Sequence, residues 1–453
     1  MVVAEAFQDE AARVHETLPI FRLSAEGGGV FYSPGYAVRV APALAGQVAD
    51  SLMPGAVPVS PRVRAVAREL ESHGRAACRA WQKMAGRPFE PECLTLILSN
   101  RCDLACGYCY AARGRSGTGP RLSDEIAESA ARLVAGRCAA ASRPLTTVFH
   151  GGGEPTLEWD LLVRLRAMLG RVAAEHAVPV WCHLATHGAI DESRAAWLAG
   201  HIDDIGLSCD GPPDVQDAQR PGVTIATSAL VERTARVLRE SGAAFTVRAT
   251  VTPESVERQE EIVEYARERL GARRIRLEPV YRGRGSSGTQ FRPEDAPRFV
   301  THYVRAAETA KAHGCDVEIS GARPGAIHGP YCNVLRGVVQ VGPGNVASAC
   351  FLDAGNGVPQ SDHLPVGRVL PGAGDLAIDH GRVEVLRRRA SAIPAGCMDC
   401  INVYHCARGC PDVCLATGAG EAADGGWGGF RCRVQRALTT WRVRQMAAGV
   451  ITP

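Results

Sequence analysis

A strand-then-helix alternation that occurs six times constrains the fold of this chain more than any other sequence feature. From Cys93 onward, each short run of β-forming residues is followed by an amphipathic helical pattern. The runs read CLTLILS, LTTVFH, VPVWCHLAT, DIGLSCD, AFTVRATVT and RRIRLEPVY. This order predicts a parallel sheet with right-handed crossovers, and six units are too few to close an eight-stranded barrel. We therefore expect an α/β fold, a partial (β/α)6 TIM-type barrel over residues 93–315, whose strand-end loops carry the chemistry.

The segments on either side of this barrel differ from it in composition. Residues 316–453 are rich in Gly, Pro and Cys, so we expect a small C-terminal domain that bound metal stabilises. Residues 1–92 form a small N-terminal α+β region. Within it, FRLSAEGGGVFYSPGYAVRV predicts a hairpin with the glycine run at its turn, and APALAGQVADSLM predicts a helix.

Charge and hydropathy argue against several classes of protein. The chain has 51 basic and 48 acidic residues, which gives no reason to expect a nucleic-acid or membrane-surface partner. It has no run of about 18 apolar residues, so we expect no membrane span. The opening MVVAEAFQDEAARVHE carries acids early and lacks the apolar segment of a signal peptide. We therefore expect a cytoplasmic protein.

The chain contains 17 cysteines, which is many for a protein of the reducing cytosol. In that compartment, short fixed spacings predict metal ligands rather than disulfides. Eleven cysteines cluster at 102–109, 332–350 and 397–432. The remaining six lie in apolar or helical contexts, where we expect small buried hydrophobic residues: Cys78, Cys93, Cys138, Cys182, Cys209 and Cys315.

The stretch SNRCDLACGYCYAARG follows the first strand and places three cysteines at C-x3-C-x2-C spacing, namely Cys102, Cys106 and Cys109. Four thiolates close a metal site, whereas three leave one coordination position open. On spacing alone, a zinc site that lacks one ligand is the alternative. With Tyr108 before the last cysteine, the motif resembles that of the radical S-adenosylmethionine (SAM) superfamily. The resemblance implies a 4Fe-4S cluster whose open iron binds SAM, and reductive cleavage of SAM to a hydrogen-abstracting 5′-deoxyadenosyl radical.

The later strand ends carry further marks of this resemblance. HGGGEP follows the second strand, and its glycines allow close backbone approach while free N–H groups could bind a carboxylate. In ATHG, His187 departs from the Thr-Asn-Gly of many relatives. A structural role at a strand end is the alternative for Ser208 and Arg248. The SAM contacts that the resemblance implies are Tyr108, Gly152, Gly153, Glu154, Thr186, Ser208 and Arg248.

The C-terminal cysteines resemble the SPASM extension of radical SAM enzymes that modify peptides and proteins. This extension carries two auxiliary iron–sulfur clusters, and zinc is the rival metal. The resemblance assigns one cluster, here called the distal cluster, to Cys397, Cys400, Cys406 and Cys432. It assigns the other, here called the near cluster, to Cys332, Cys350 and Cys410, with Cys414 as a candidate fourth ligand. Weaker candidates for that position are Cys315 and His328, and the spacing from Gly344 to Cys350 is one residue longer than the family pattern.

Together these resemblances, over residues 93 to about 440, imply an enzyme that modifies a ribosomally synthesised peptide. It would use three 4Fe-4S clusters, SAM and an electron donor such as a flavodoxin or ferredoxin, and would install a crosslink, a thioether or an oxidation. One alternative is a SPASM dehydrogenase that acts on a small molecule such as an aminoglycoside or alcohol. Another is a non-enzymatic zinc or electron-transfer protein.

Several roles stay open at the level of sequence. Asp353 and Tyr404 are the candidates for a catalytic base. In DGPPDVQDAQRP, the polar residues Asp210, Asp217 and Arg220 either border a substrate channel or form a structural loop. Residues 15–60 weakly resemble winged-helix modules that bind leader peptides, whereas a plain extension that caps the barrel is the alternative.

Overall fold

The computed structural model describes residues 11–25, 28–56, 60–109, 119–222, 226–280, 290–328, 333–350, 365–370, 375–406, 429–447 and 450–451. Its strands are β1 (Ala12–Arg13), β2 (Phe21–Ala25), β3 (Gly28–Ser33), β4 (Tyr36–Val40), β5 (Cys93–Leu96), β6 (Leu145–Phe149), β7 (Val180–Thr186), β8 (Asp204–Ser208), β9 (Phe245–Val251), β10 (Arg274–Pro279), β11 (Asp316–Glu318), β12 (Val338–Val341), β13 (Val346–Ser348), β14 (Pro365–Leu370), β15 (Asp375–Ile378) and β16 (Val450–Ile451). Its α-helices are α1 (Pro42–Ser51), α2 (Pro61–Gly86), α3 (Asp124–Ala140), α4 (Trp159–Glu175), α5 (Glu192–His201), α6 (Pro213–Gln219), α7 (Thr227–Glu240), α8 (Gln259–Glu268), α9 (Ala296–Ala312), α10 (His380–Ser391) and α11 (Phe430–Met446).

The larger sheet contains the six predicted barrel strands, β5 to β10, each parallel to its neighbour in the sequence. At least one helix lies between each successive pair of these strands. This arrangement confirms the α/β fold class with a partial barrel. Because all six strands run the same way, the loops after β5, β6, β7, β8 and β9 emerge at one edge of the sheet.

Strands from the cysteine-rich segment extend this sheet at both ends. β11 pairs parallel with β10, and β12 pairs parallel with β5. β13, β14 and β15 then continue beyond β12 in antiparallel order. The edge of β5 is therefore covered by β12, which satisfies its backbone groups and fixes the strand that leads into the cysteine loop.

The barrel strands alternate between buried apolar and partly exposed polar positions, as β9 illustrates. Val247, Ala249 and Val251 are buried, whereas Arg248 and Thr250 are partly exposed. The apolar side belongs to the main hydrophobic core, which also contains the buried faces of the surrounding helices. The other side forms the concave interior of the open barrel, so this interior is polar.

The N-terminal region packs on the C-terminal region. β1 to β4 form an antiparallel meander that includes the predicted hairpin, and β16 adds to β4 in parallel. The hydrophobic cluster beneath this sheet includes Phe21, Tyr32, Ile401, Val403 and Val443. The N-terminal sheet thus shares a core with the segment that holds Cys397, Cys400 and Cys406, and with α11.

Four of the six scattered cysteines are buried as expected, and two are only half-buried, namely Cys78 and Cys93. Across the described part of the chain, no helix combines the length and the hydropathy that crossing a membrane requires.

Candidate functional site

The loop after β5 carries Cys102, Cys106 and Cys109 at the carboxyl edge of the parallel sheet. Two backbone contacts fix its path. Ala105 donates its N–H to the carbonyl oxygen of Pro221 at 3.0 Å, and Cys109 donates to that of Cys106 at 3.1 Å. Cys106 is buried, while the other two cysteines are half-buried. The three sulfur donors therefore lie on one anchored loop.

The glycine loop after β6 packs directly against the start of the cysteine loop. A Cβ on Gly153 would lie 1.9 Å from the carbonyl oxygen of Arg101, so no other residue fits there. Gly153 donates its N–H to the carbonyl oxygen of Ser99 at 2.9 Å, and Glu154 donates to that of Arg101 at 2.8 Å. The Gly153 and Glu154 N–H groups are therefore used by the neighbouring loop, and the SAM contacts predicted for Gly152, Gly153 and Glu154 stay predictions.

Glu154 connects the glycine loop to the end of β7. Its buried carboxylate accepts hydrogen bonds from the Thr186 hydroxyl at 2.8 Å and from the His187 N–H at 2.8 Å. His187 Nε2 in turn lies 2.8 Å from Asp103 Oδ1, beside Cys102. Two predicted SAM-contact residues, Glu154 and Thr186, thus belong to one network that ends at the cysteine loop.

Carboxylates dominate the electrostatics of this network. Burial alone would lower the pKa of His187, but Glu154 and Asp103 raise it overall. Burial would raise the pKa of Asp103, yet the hydrogen bond from His187 lowers it overall. His187 Nδ1 accepts a hydrogen bond from the Ala189 N–H at 3.0 Å, so Nε2 carries the proton that faces the Asp103 carboxylate.

Burial also affects the sulfur ligands. It raises the pKa of Cys106 to about 11 and raises that of Cys102 as well. Without metal these groups are thiols, so metal binding must displace their protons. The segment 102–118 contains three cysteines and no fourth. This donor set fits a 4Fe-4S cluster with one open iron better than it fits a closed structural zinc site.

One compact group near this loop suits a single ion. The ligand atoms of Cys102, Asp103 and His187 lie within 4.8 Å of one another, and they form the only such group of three or more in the described residues. Thiolates around a four-iron cluster bind different irons and stand further apart than the ligands of one ion. A single metal ion bound by these three residues is therefore the alternative to an iron–sulfur cluster at this loop.

Tyr108 is held by a buried carboxylate that follows β8. Asp210 is fully buried and accepts a hydrogen bond from the Tyr108 hydroxyl at 2.5 Å. It also accepts from the Thr250 N–H at 2.8 Å and forms an ion pair with Arg220 at 2.9 Å. The Arg220 guanidinium lies over the Tyr108 ring, 5.4 Å from its centre. These contacts anchor the cysteine loop to β8 and β9.

The polar residues Asp210, Asp217 and Arg220, which come after β8, make contacts that favour a structural loop. Asp217 accepts hydrogen bonds from the N–H and the hydroxyl of Ser228, both at 2.8 Å, and so caps the start of α7. Asp210 and Arg220 are buried against each other. The described contacts of all three residues, including Asp217, hold loops together.

The predicted SAM contacts Ser208 and Arg248 lie side by side on β8 and β9, facing the concave interior. Burial, together with the nearby charges of Arg248 and His183, lowers the pKa of the neighbouring His150 to about 3. His183 Nδ1 lies 2.8 Å from Asp204 Oδ2 at the opposite end of the barrel. His150 is therefore neutral near pH 7, and Arg248 supplies the positive charge beside Ser208 that suits an anionic group of a ligand.

The four predicted distal-cluster cysteines come from two segments that adjoin. Cys397, Cys400 and Cys406 lie on successive turns, in which Cys400 donates its N–H to the Cys397 carbonyl oxygen at 3.1 Å. Cys432 lies in the first turn of α11. Cys406 contacts Gln435 of the same helix at 2.9 Å, which brings the four predicted distal-cluster ligands into one region.

The other predicted ligands are only partly described. Cys350 follows β13 and donates its N–H to the Ser348 hydroxyl at 3.0 Å. The remaining predicted near-cluster ligands and one candidate base lie outside the described residues, namely Cys332, Cys410, Cys414 and Asp353.

The side chain of the second candidate base, Tyr404, contacts the N-terminal region. Its hydroxyl lies 3.6 Å from Cys78 Sγ, and its ring lies 5.6 Å from that of Trp81. These contacts place the side chain beside α2, and its role as a base stays a prediction.

Sequence reasoning missed two polar features of this site. The Asp103–His187 pair joins the first and third strand-end loops, and its signals were the acid next to Cys102 and the departure at His187. Glu278, on β10, was missed as well. It accepts hydrogen bonds from the Ser320 hydroxyl at 2.6 Å and the Ser320 N–H at 2.9 Å. Its signal was a carboxylate at the carboxyl end of a barrel strand.

Comparisons with known proteins agree with this geometry. The family model described as Radical SAM superfamily matches residues 96–268. The cysteine-type anaerobic sulfatase-maturating enzyme of Clostridium perfringens is 26% identical over 219 residues, which are 45% of this chain and 56% of the relative. The match therefore spans little more than half the length of that curated relative.

Solved structures share the fold at lower identity. The structure of native anSMEcpe with bound AdoMet has a TM-score of 0.60 and 18% identity, and covers 78% of this chain and 98% of its own. Streptococcus suis SuiB bound to precursor peptide SuiA has a TM-score of 0.50 and 16% identity, and covers 87% of this chain and 95% of its own. Residues 96–268 of this chain are thus a radical SAM domain, and the chain is homologous to part of the anaerobic sulfatase-maturating enzyme.

Proposed function

We propose that this protein is a radical SAM enzyme that modifies a ribosomally synthesised peptide. The observation that carries the proposal is the anchored loop of Cys102, Cys106 and Cys109 at the carboxyl edge of the sheet, within the matched domain. The anSMEcpe and SuiB structures, which were solved with AdoMet and with a precursor peptide respectively, support the choice of cofactor and substrate.

The three cysteines would hold a 4Fe-4S cluster. With SAM bound, that cluster supplies a one-electron reductive cleavage that yields a hydrogen-abstracting radical. The chain's own residues position the reactants. Glu154, Thr186 and His187 fix the wall of the site through their shared hydrogen bonds. Arg248 is proposed to pair with the SAM carboxylate, and Ser208 to contact SAM beside it.

The C-terminal cysteines are proposed to hold two auxiliary clusters. Cys397, Cys400, Cys406 and Cys432 would form the distal site, whose two segments adjoin through the Cys406–Gln435 contact. Cys332, Cys350 and Cys410, with Cys414 as fourth ligand, would form the near site. These clusters would accept the electron that remains after hydrogen abstraction, and a flavodoxin or ferredoxin would supply the first electron.

A carboxylate inside the barrel would take up the proton that an oxidative step releases. We propose Glu278 for this role, because it lies near the carboxyl end of β10 and is oriented by Ser320. Asp353 is the alternative.

The test uses a candidate peptide from a short reading frame next to the gene, synthesised with deuterium at its carbon-bound side-chain positions. Anaerobic reaction with SAM and dithionite should give deuterated 5′-deoxyadenosine and a peptide that has lost hydrogen. Fragmentation mass spectrometry of the product then distinguishes a crosslink or thioether, which adds a bond within the peptide, from simple oxidation. Deuterium transfer from an aminoglycoside or alcohol, with none from any peptide, would contradict the peptide proposal and favour the small-molecule dehydrogenase.

A further inference from the structure

Gln435 of α11 contacts one of the cysteines proposed for the distal cluster. Its side chain is buried, with 5% of its surface exposed. The Cys406 thiol donates a hydrogen bond to Gln435 Oε1 at 2.9 Å. Gln435 also lies three residues after Cys432, so the two side chains share one face of the helix. It therefore lies beside two of the four proposed ligands.

The amide of Gln435 is held in place from the barrel side. Its Nε2 lies 3.4 Å from the carbonyl oxygen of Ser320 and donates to it. Gly321 follows with a φ of +83°, and a Cβ there would lie 2.4 Å from Nε2. Ser320 is fixed in turn by the carboxylate of Glu278. The glycine thus lets the backbone of residues 320–321 reach the plane of the Gln435 amide.

Iron binding at Cys406 would require the Gln435 amide to donate a hydrogen bond where it now accepts one. As a ligand, Cys406 is a thiolate, which only accepts hydrogen bonds. The Gln435 amide nitrogen carries the two N–H groups, so a half-turn of the amide exchanges its long 3.4 Å contact with the Ser320 carbonyl oxygen for a hydrogen bond to the Cys406 sulfur. A hydrogen bond to a ligand sulfur stabilises the reduced, more negative state of a cluster.

We propose that Gln435 is a positioning residue that donates a hydrogen bond to the Cys406 sulfur and raises the reduction potential of the distal cluster. The inference rests on the proposed function, because it needs an iron–sulfur cluster at Cys397, Cys400, Cys406 and Cys432. It goes beyond that function in naming the residue that tunes this cluster as an electron acceptor.

The experiment starts from full-length protein in which Cys102, Cys106 and Cys109 are changed to Ala, so that only auxiliary clusters form. After anaerobic reconstitution, each variant is titrated with dithionite and followed by electron paramagnetic resonance. The signal that disappears in an added Cys406→Ala variant identifies the distal cluster. Gln435→Leu should make that cluster about tenfold harder to reduce, which is about 59 mV for a one-electron couple.

Thr439→Val is the matched control. Thr439 is buried on the same helix and donates to Asn402 Oδ1 at 2.7 Å, so its loss should leave the potential unchanged. Gln435→Glu, which keeps the shape but loses the N–H donors, should shift the potential in the same direction as Gln435→Leu. An unchanged potential in both Gln435 variants would overturn the proposal.

Loss of the distal cluster itself in both Gln435 variants would assign Gln435 a merely structural role and would also overturn it. Absence of every auxiliary signal before Gln435 is changed would instead contradict the proposed clusters, and the inference with them.

Discussion

At the scale of single residues, one buried carboxylate explains how the cysteine loop is fixed. Asp210 is fully buried and binds Tyr108, Arg220 and the Thr250 N–H at once. Arg220 also interacts electrostatically with Cys106, since the guanidinium charge lowers the pKa of that thiol and the sulfur raises the pKa of Arg220. Tyr108, which the sequence motif assigns to SAM, therefore has a structural partner as well.

Replacing Asp210 with Ala should destabilise the protein strongly. The change leaves the Arg220 guanidinium buried without its ion pair, which costs about 3–5 kcal/mol of unfolding free energy. Asp214→Ala is the control, because Asp214 is exposed and pairs with Arg258 at the surface, where a pair contributes at most about 1 kcal/mol. Urea unfolding of the metal-free, reduced protein measures both. Equal losses in the two variants would contradict the role assigned to Asp210.

At the scale of elements, the site depends on contact between the loops after β5 and β6. Residues 99–101 supply carbonyl oxygens, and Gly153 and Glu154 supply the N–H donors. The contact is close because Gly153 has no side chain. The two loops therefore act as one unit, and a change in the glycine loop should alter the cysteine loop.

Gly153→Ala tests this contact. Because the new Cβ would lie 1.9 Å from the Arg101 carbonyl oxygen, the loops must separate, and we expect at least a tenfold loss of 5′-deoxyadenosine formation. Gly46→Ala is the control on α1, where nothing lies within 4 Å of the added Cβ and helix propensity favours Ala by about 1 kcal/mol. Near-normal activity of Gly153→Ala would show that the loops are not coupled.

The sequence predicts the elements of this site better than their contacts. The β/α alternation predicted all six barrel strands, because a two-residue period and a helical period differ clearly along the chain. The glycines of HGGGEP indicated a close approach but could not say to which group, and the Gly153 and Glu154 N–H groups bind carbonyl oxygens of the neighbouring loop. The pairing of β12 with β5 and of Asp103 with His187 joins residues far apart in sequence, so no local pattern revealed it.

At the scale of the whole molecule, the N-terminal sheet and the C-terminal cysteine segment form one unit. Tyr32 donates its hydroxyl to the Pro324 carbonyl oxygen at 2.8 Å and also contacts His405, next to Cys406. Phe21 and Tyr32 share a core with Ile401 and Val403. Residues 1–92 therefore support the proposed distal site, whether or not they also bind a leader peptide.

The metal content should reflect three proposed sites. Anaerobic reconstitution should give three 4Fe-4S clusters, roughly twelve irons with matching sulfide per chain. Changing Cys102, Cys106 and Cys109 to Ala should remove one cluster and leave about two, because the C-terminal ligands lie on other segments. Iron and sulfide assays measure this directly. Stoichiometric zinc without sulfide would contradict the iron–sulfur assignment at every site.

The most direct test of the account is SAM cleavage by the protein with and without the three cysteines of the loop. The reconstituted protein, given SAM and dithionite without oxygen, should form 5′-deoxyadenosine that liquid chromatography with mass spectrometry detects. The variant with Cys102, Cys106 and Cys109 changed to Ala should form none above a protein-free control, while it keeps its auxiliary iron. Undiminished 5′-deoxyadenosine from that variant would contradict the assignment of these cysteines to SAM cleavage.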